Sequence, residues 1–264
     1  MKIATWNINS VRLRAPLAAR FLREFVPDVL CLQETKCPND LFPAKDFAKL
    51  GYIHQAVHGQ KGYNGVAVLS RLPFSAEERG DFCREGHARH VAVKFANGLE
   101  LHDFYVPAGG DIADADANPK FAHKLDFLAR MARHFGQRRD GGKTPVVLVG
   151  DLNVAPLEND VWNHKQLLSI VSHTPVETRL LEEVRAGFDW IDVSRAFVPP
   201  TEKLYSWWSY RAADWETSDR GRRLDHVWAS PALRGALKRQ QIVKKMRGWV
   251  KASDHVPVVA EFEL

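Results

Sequence analysis

The chain has 264 residues, of which 45% are hydrophobic and 26% charged, a composition that can bury a large core and excludes a disordered or fibrous chain. Lys and Arg outnumber Asp and Glu by 37 to 32, so if several acids gather at one site the remaining surface is basic and favours a polyanionic partner. Cys31, Cys37 and Cys83 form no CxxC pair and no apolar run approaches the roughly 20 residues needed to span a bilayer, which points to free thiols, a cytoplasmic location and no membrane partner.

In chain order, Lys2–Ile8 reads as a strand rather than a signal peptide. Further strand-length apolar runs occur at Asp28–Leu32, Gly65–Leu69, His90–Phe95, Leu99–Val106, Pro145–Val149, Leu224–Ala229 and Val256–Phe262. Helical spacing appears at Pro16–Phe25, with Leu17, Phe21, Leu22 and Phe25 on one face and Pro16 in the first turn. It recurs at Lys120–Phe135, striped by Phe121, Leu125, Leu128, Met131 and Phe135, and at Val176–Gly187, which ends at a glycine suited to a C-cap. Gly65–Leu69, His90–Phe95 and Leu99–Val106 look hairpin-linked, the last two through the tight turn Asn97-Gly98. Asp111–Asn118 lacks the Gly and terminal Glu of a calcium loop and reads as a solvated loop. The mixture predicts an α/β fold of two mixed sheets packed together with helices outside. No linker, repeat or low-complexity tract divides it, so residues 1–264 are expected to form one domain.

Polar residues stand at the ends of several of these strands. Glu34 follows the run Val29–Cys31, Asp151 and Asn153 follow Val146–Val149, and Asp254-His255 precedes the final strand. Glu, Asp, Asn and His converging from distant segments form the inventory of a hydrolytic site around a hard cation. Period-two spacing puts Asp151 and Asn153 on one side of an extended segment, and an Asx turn there is the competing reading. Neighbours in extended backbone point apart, so Asp254 cannot orient His255; Asp225 is the candidate partner that would fix its tautomer. Asn7 and Asn9 share a face after the first strand and could support the carboxylates. Arg12, Arg14, Lys61, Tyr63, Asn64, Arg89, Trp207, Trp208 and Arg211 interleave basic and aromatic groups in loops, as stacking on bases and contact with phosphates require.

In combination, Thr5-Trp6-Asn7-Ile8-Asn9, Leu32-Gln33-Glu34-Thr35-Lys36, Gly62-Tyr63-Asn64-Gly65, Tyr105-Val106-Pro107, Gly150-Asp151-Leu152-Asn153, Arg223-Leu224-Asp225-His226-Val227-Trp228 and Ser253-Asp254-His255-Val256-Pro257 stand in the order of the exonuclease III / AP endonuclease family, within the endonuclease–exonuclease–phosphatase superfamily, and the resemblance spans essentially the whole chain. It implies a four-layer α-β-β-α sandwich and Mg²⁺-dependent phosphodiester hydrolysis on duplex DNA, with Mn²⁺ as a substitute cation. Glu34 resembles the principal metal ligand, supported by Asn7; Asp151, Asn153, Asp254 and His255 resemble the other groups around the metal. Tyr105, Asp151, Asn153, Asp225 and His255 resemble the catalytic set, and Trp207 the tryptophan near the pocket for a base-free sugar. The expected substrates are abasic sites, nicks and 3′ ends, acted on by a monomer. The chain departs from the pattern at Ala108-Gly109-Gly110, where relatives commonly begin with Asn or Gln, and over Val161–Thr178, near loops that help choose between base-free sites and 3′ ends. A superfamily phosphatase acting on lipid or inositol phosphates, and a catalytically dead DNA-binding module, are the alternatives.

Overall fold

The computed structural model describes residues 1–138, 140 and 142–264. Among the described residues twelve strands run in the order β1 (Lys2–Asn7), β2 (Val29–Gln33), β3 (His54–His58), β4 (Val66–Ser70), β5 (Phe74–Glu78), β6 (His90–Phe95), β7 (Glu100–Tyr105), β8 (Val146–Asp151), β9 (Ile191–Asp192), β10 (Asp225–Ala229), β11 (Leu237–Ile242) and β12 (Val258–Phe262). The helices are α1 (Val11–Phe25), α2 (Ala44–Ala48), α3 (Pro119–Gly136), α4 (His164–Leu167), α5 (Pro175–Ala186), α6 (Val193–Phe197) and α7 (Trp215–Ser218). One six-stranded sheet has the order β11-β12-β1-β2-β4-β3 and the other β5-β6-β7-β8-β10-β9. Each has a single parallel pair near its centre, β1 with β2 and β7 with β8, closed by a helical crossover through α1 or α3; its other pairs are antiparallel.

Strict alternation builds the layers. Ile3, Val29, Cys31, Val66 and Val68 of the first sheet meet Val91, Val93, Val147, Val149 and Val227 of the second. Their neighbours point outward, with Trp6, Leu30 and Leu32 packed on Phe21, Leu22 and Phe47. Phe104, Leu148 and Trp228 pack on Leu128, Met131 and Val184. Among the described residues no helix is long and apolar enough to cross a membrane.

All eight expected strands are present. The four unforeseen ones, β3, β5, β9 and β11, are the outer strands of the two sheets. An outer strand buries little, so β5 (FSAEE) and β11 (LKRQQI) lack an apolar run. The expected link of Gly65–Leu69 to the two following strands is corrected: β4 lies in the first sheet, β6 and β7 in the second, and β5 intervenes as the partner of β6. Pro16 is not in the first turn. The helix begins at Val11, and its buried face runs Val11, Arg14, Ala18, Phe21 and Leu22. Gly187 does close α5, but in right-handed conformation. A Cβ there would stand 3.1 Å from the Glu183 carbonyl oxygen of its own helix and 3.5 Å from the Gly136 Cα of α3, so left-handed backbone is not what places glycine here.

Buried neutral imidazoles make stability depend on pH. His226 Nε2 donates to the Val154 carbonyl (2.9 Å), while its Nδ1 accepts from Arg223 Nη1 (3.3 Å). Burial, then the Arg223 charge, pull its pKa down to about 4. Burial likewise pulls His102 down to about 3 and His90 well below its usual value. The unfolded chain takes up these protons near pH 6.5, the folded chain only at much lower pH. The contribution to stability is therefore complete above about pH 6.5 and is lost as pH falls toward the folded values. Chemical denaturation of the wild-type chain and of His226→Gln at pH 7 and pH 5 should show a smaller fall in midpoint toward pH 5 in the variant, and an unchanged pH dependence would contradict this.

Candidate active site

Topology brings one end of six strands together. The parallel pairs β1/β2 and β7/β8 end at Asn7, Gln33, Tyr105 and Asp151. Antiparallel β10 pairs Asp225 directly with Asp151, and antiparallel β12 pairs Val258 with Thr5, which puts His255 just beyond the same rim. On these strands the inward register that places Ile3, Val29, Val147 and Val227 between the sheets also turns Asn7, Gln33, Asp151 and Asp225 inward. The site is the polar end of the layer between the sheets.

Backbone conformations at the rim are selective. Gly150 has φ 137, and a Cβ there would stand 1.9 Å from the Phe104 carbonyl oxygen, so only glycine lets β8 lie against β7 just before Asp151. Glu34 and Asn153 are left-handed at φ 51 and φ 53, a cost of roughly 1–2 kcal/mol for each such residue, and both occur where a side chain is turned into the site.

The side chains interlock across the two sheets. Asn7 Nδ2 donates to Glu34 Oε1 (2.9 Å) and Asp151 Oδ2 (2.8 Å). Asp225 Oδ2 lies 2.8 Å from His255 Nδ1 and accepts from Ser206 Oγ at 2.6 Å. His255 Nε2 lies 3.7 Å from Asp151 Oδ2. Asn153 Nδ2 donates to the Val106 carbonyl (2.9 Å) and Asp151 Oδ2 (3.1 Å), while its N–H donates to Asp151 Oδ1 (2.9 Å); the Asx turn and the shared face are both realised. Donor atoms of Glu34, Asp151 and His255 all lie within 4.8 Å of one another, close enough for one coordination sphere.

Charge follows from burial. Burial first, then the nearby Asp225 and Glu34 charges, raise the Asp151 carboxyl far above the usual range against the opposing pull of His255 and Asn7. Burial alone would discharge His255; the Asp225 and Asp151 carboxylates outweigh it and raise the ring to about 10. Burial also works against the Glu34 charge, but Lys36 and Asn7 lower its pKa. Burial, then Glu34 and Asp151, push the Tyr105 phenol well up, so it keeps its proton as a donor. The oxygens of Glu34 and Asp151 suit a hard divalent cation. Lys36 Nζ already sits 2.8 Å from Glu34 Oε2 and 2.7 Å from Asn9 Oδ1, so this corner accepts a positive charge.

Above this floor opens a cleft of about 840 Å³, walled by Trp162, Trp207, Arg211, Arg220 and Arg222. Residues 4–255 match the model of the endonuclease/exonuclease/phosphatase family. The chain belongs to that family. It is similar to exodeoxyribonuclease III of Haemophilus influenzae, at 29% identity over the whole of both chains. Among solved structures it is similar to an AP endonuclease from Archaeoglobus fulgidus (33% identity, TM-score 0.92). It is also similar to the 3′ phosphatase NExo from Neisseria, bound to a product DNA hairpin (31% identity, TM-score 0.90). Each covers all of both chains.

Not every expected residue of this family member is where the sequence suggested. Asn7 turns its amide nitrogen to both carboxylates, and its Oδ1 accepts from the Asn9 N–H (3.0 Å), so it holds the acids in place. His255, whose ring the Asp225 and Asp151 carboxylates keep charged, presents Nε2 toward Asp151 and stands within reach of the same cation position. Asp254 accepts from Asn9 Nδ2 and Trp207 Nε1 (both 3.0 Å) and stands outside the Glu34, Asp151 and His255 group. Arg12, Lys61, Tyr63 and Arg211 are exposed and Trp207 is half-buried at the cleft. Arg14 is buried and committed to the Ile8, Asn9 and Lys251 carbonyls and to Tyr210, so it is no DNA contact. Arg89 is buried over the Tyr105 ring (4.7 Å) and donates to the Tyr105 carbonyl. Asn64 is a buried left-handed turn residue bonded to Gln60, and Trp208 lies in the core with Tyr205 and Val256. A charged or aromatic residue in a loop reads as surface, but these four fill polar or apolar interior.

Several supports went unforeseen because nothing local marks them. Lys36 neutralises Glu34. Arg222 ties the cleft wall to Val171 and Ser172. Lys124, fully buried, pairs with buried Glu177 and donates to the Asn153 carbonyl (2.7 Å), which fastens the 157–178 segment to the floor of the site.

Asp225→Asn should drop the His255 pKa from about 10 to near or below the ordinary 6.5. Imidazole NMR titration reads this directly, and an unchanged pKa would remove Asp225 as the orienting group. Lys124→Met leaves Glu177 buried without its counter-charge and should cost about 3–5 kcal/mol of stability, measured by denaturant unfolding; a loss below about 1 kcal/mol would contradict the pairing.

Proposed function

We propose that the chain is a Mg²⁺-dependent DNA repair nuclease, one catalytic domain over residues 1–264 acting as a monomer in the cytoplasm on duplex DNA at abasic sites, nicks and 3′ ends. The observation that carries this is the meeting of Glu34, Asp151 and His255 at the floor of a cleft lined by tryptophan and arginine. The similarity to an AP endonuclease, an exodeoxyribonuclease III and a 3′ phosphatase supports the reading, and all three activities break a phosphoester bond at a 3′ oxygen.

Glu34 and Asp151 would hold the divalent cation, Mg²⁺ or Mn²⁺, and when bound it supplies Lewis-acid charge beside the phosphate. Asp151 orients the attacking water and takes its proton, a task suited to a carboxyl whose pKa is raised toward neutrality. The water oxygen bonds to phosphorus in line, the bond from phosphorus to the 3′ oxygen breaks, and that oxygen takes a proton from solvent and leaves as a hydroxyl. At an abasic site the products would be a 3′-hydroxyl on the upstream fragment and a 5′-deoxyribose phosphate on the downstream one. Charged His255 and the protonated Tyr105 phenol donate to the phosphate oxygens, where negative charge grows in the transition state. Asp225 keeps the His255 ring charged and aimed. Asn153, with a neutral amide, sits beside the phosphate without repelling it. Trp207 and Trp162 offer faces to a splayed base or a base-free sugar, and Arg211, Arg220 and Arg222 offer charge to flanking phosphates.

The cleft favours a strand of nucleic acid over a phosphoinositide headgroup, because aromatic faces alternate with guanidinium groups: Arg220 stacks on Trp162 (4.8 Å) and Arg222 on Trp207 (5.3 Å). Gel assays of an abasic duplex and a recessed 3′-end duplex, beside a phosphoinositide, should show cleavage of DNA with Mg²⁺ and none with EDTA. Asp151→Asn should lower turnover by about two to four orders of magnitude with unchanged circular dichroism. Near-normal turnover of that variant, or preference for the lipid headgroup, would overturn the reading.

A further inference from the structure

A second group of donors lies outside the cleft, in the segment joining β5 to β6 and on the facing turn of α3. Cys83 Sγ, a His87 ring nitrogen and a His123 ring nitrogen all lie within 4.8 Å of one another. Cys83 Sγ and His123 Nε2 are 3.1 Å apart; in a tetrahedral zinc site with Zn–S near 2.3 Å and Zn–N near 2.0 Å, this separation is about 3.5 Å. Cys83 is 6% exposed. His87 Nδ1 is buried and makes no hydrogen bond, although the Glu85 carboxylate stands 3.2 Å away. Glu85 also lies 3.6 Å from His123 Nδ1. A carboxylate on the far nitrogen of an imidazole commonly fixes a metal-binding ring.

We infer that Cys83, His87 and His123 form a binding site for a thiophilic divalent cation of the Zn²⁺ class, with Glu85 steadying His123 and water filling the fourth position. The ligand chemistry separates this site from the catalytic one. A thiolate with two imidazoles selects Zn²⁺, whereas the carboxylate oxygens of Glu34 and Asp151 select Mg²⁺. Binding transfers the Cys83 thiol proton to solvent and forms the metal–sulfur bond.

Placement gives the ion a structural consequence. Buried Phe82 already packs the 79–89 segment on Phe127 and His134 of α3 (ring centroids 6.1 and 5.0 Å apart), and the surface pair Arg84–Asp126 (3.1 Å) adds little to that. Two residues beyond His87, Arg89 supports Tyr105; one residue beyond His123, Lys124 supports Asn153. A cation joining His87 to His123 clamps together the two segments that brace the catalytic floor.

Cobalt(II) titration of the full-length protein, with Mg²⁺ in excess to occupy the oxygen site, reads the inference directly. The wild-type chain should develop a thiolate-to-cobalt charge-transfer band that saturates at one Co²⁺ per chain and is bleached by Zn²⁺. Cys83→Ser should abolish the band, Cys37→Ser should keep it, and His87→Asn, on the exposed segment, should weaken binding at least tenfold with the fold intact by circular dichroism. No band in the wild-type protein, a band that survives Cys83→Ser, or unchanged affinity in His87→Asn would overturn the inference.

Discussion

An almost fully buried carboxylate, Asp151, is shared between two sheets, and the rest of the site is organised around that burial. Its neighbours come from the opposite sheet: the Asn7 amide and the His255 ring. A bare charge at this depth is expensive, so the carboxylate persists only because these groups and its own turn satisfy it. His255 in turn stays charged only because Asp225, from the second sheet, faces its other nitrogen. Each sheet thus supplies the charge that the other needs. Packing the sheets and assembling the site are one event, and Gly150 is the residue whose missing side chain lets the strands close far enough for it.

Much of this was legible in the chain. The eight inner strands bury both faces or one full face, so their Val, Leu and Ile runs are unmistakable, and the polar residues that interrupt them mark the rim. The four outer strands were invisible for the converse reason: they are half solvated, and β9 is only two residues long. Alternation alone separated Asp254 from His255 and pointed to Asp225 as the partner, and the 2.8 Å contact agrees. What sequence could not show was which charged residues face inward. Arg14 and Arg89 look like surface cations, yet each is buried against carbonyl oxygens, and Arg89 also against the Tyr105 ring. Lys124 and Glu177 meet only because α3 and α5 pack side by side, a contact of two distant helices that no local pattern encodes.

The departures from the family pattern acquire a physical meaning. Ala108 and Gly110 line the cleft, and Gly109 leaves room for the Lys124 stem, which a Cβ would meet at 2.9 Å. Small residues therefore widen this wall while Lys124 passes beneath it to Asn153 and Glu177. The 157–178 segment, anchored through Glu177 and through Arg222 at Val171 and Ser172, presents Trp162 to the cleft. The small residues and the Trp162 ring together shape the space in which a nucleic-acid strand would lie.

The central claim is that the polar end of the layer between the sheets holds one hard cation against Glu34 and Asp151. Anomalous scattering from a crystal of the protein soaked in Mn²⁺ locates that ion without reference to activity. The account predicts a peak at bonding distance, about 2.1 Å for a small hard cation, from a Glu34 carboxylate oxygen, with Lys36 displaced from its present contact. A saturating soak with no peak at Glu34, or with the ion bound only elsewhere on the chain, would contradict it.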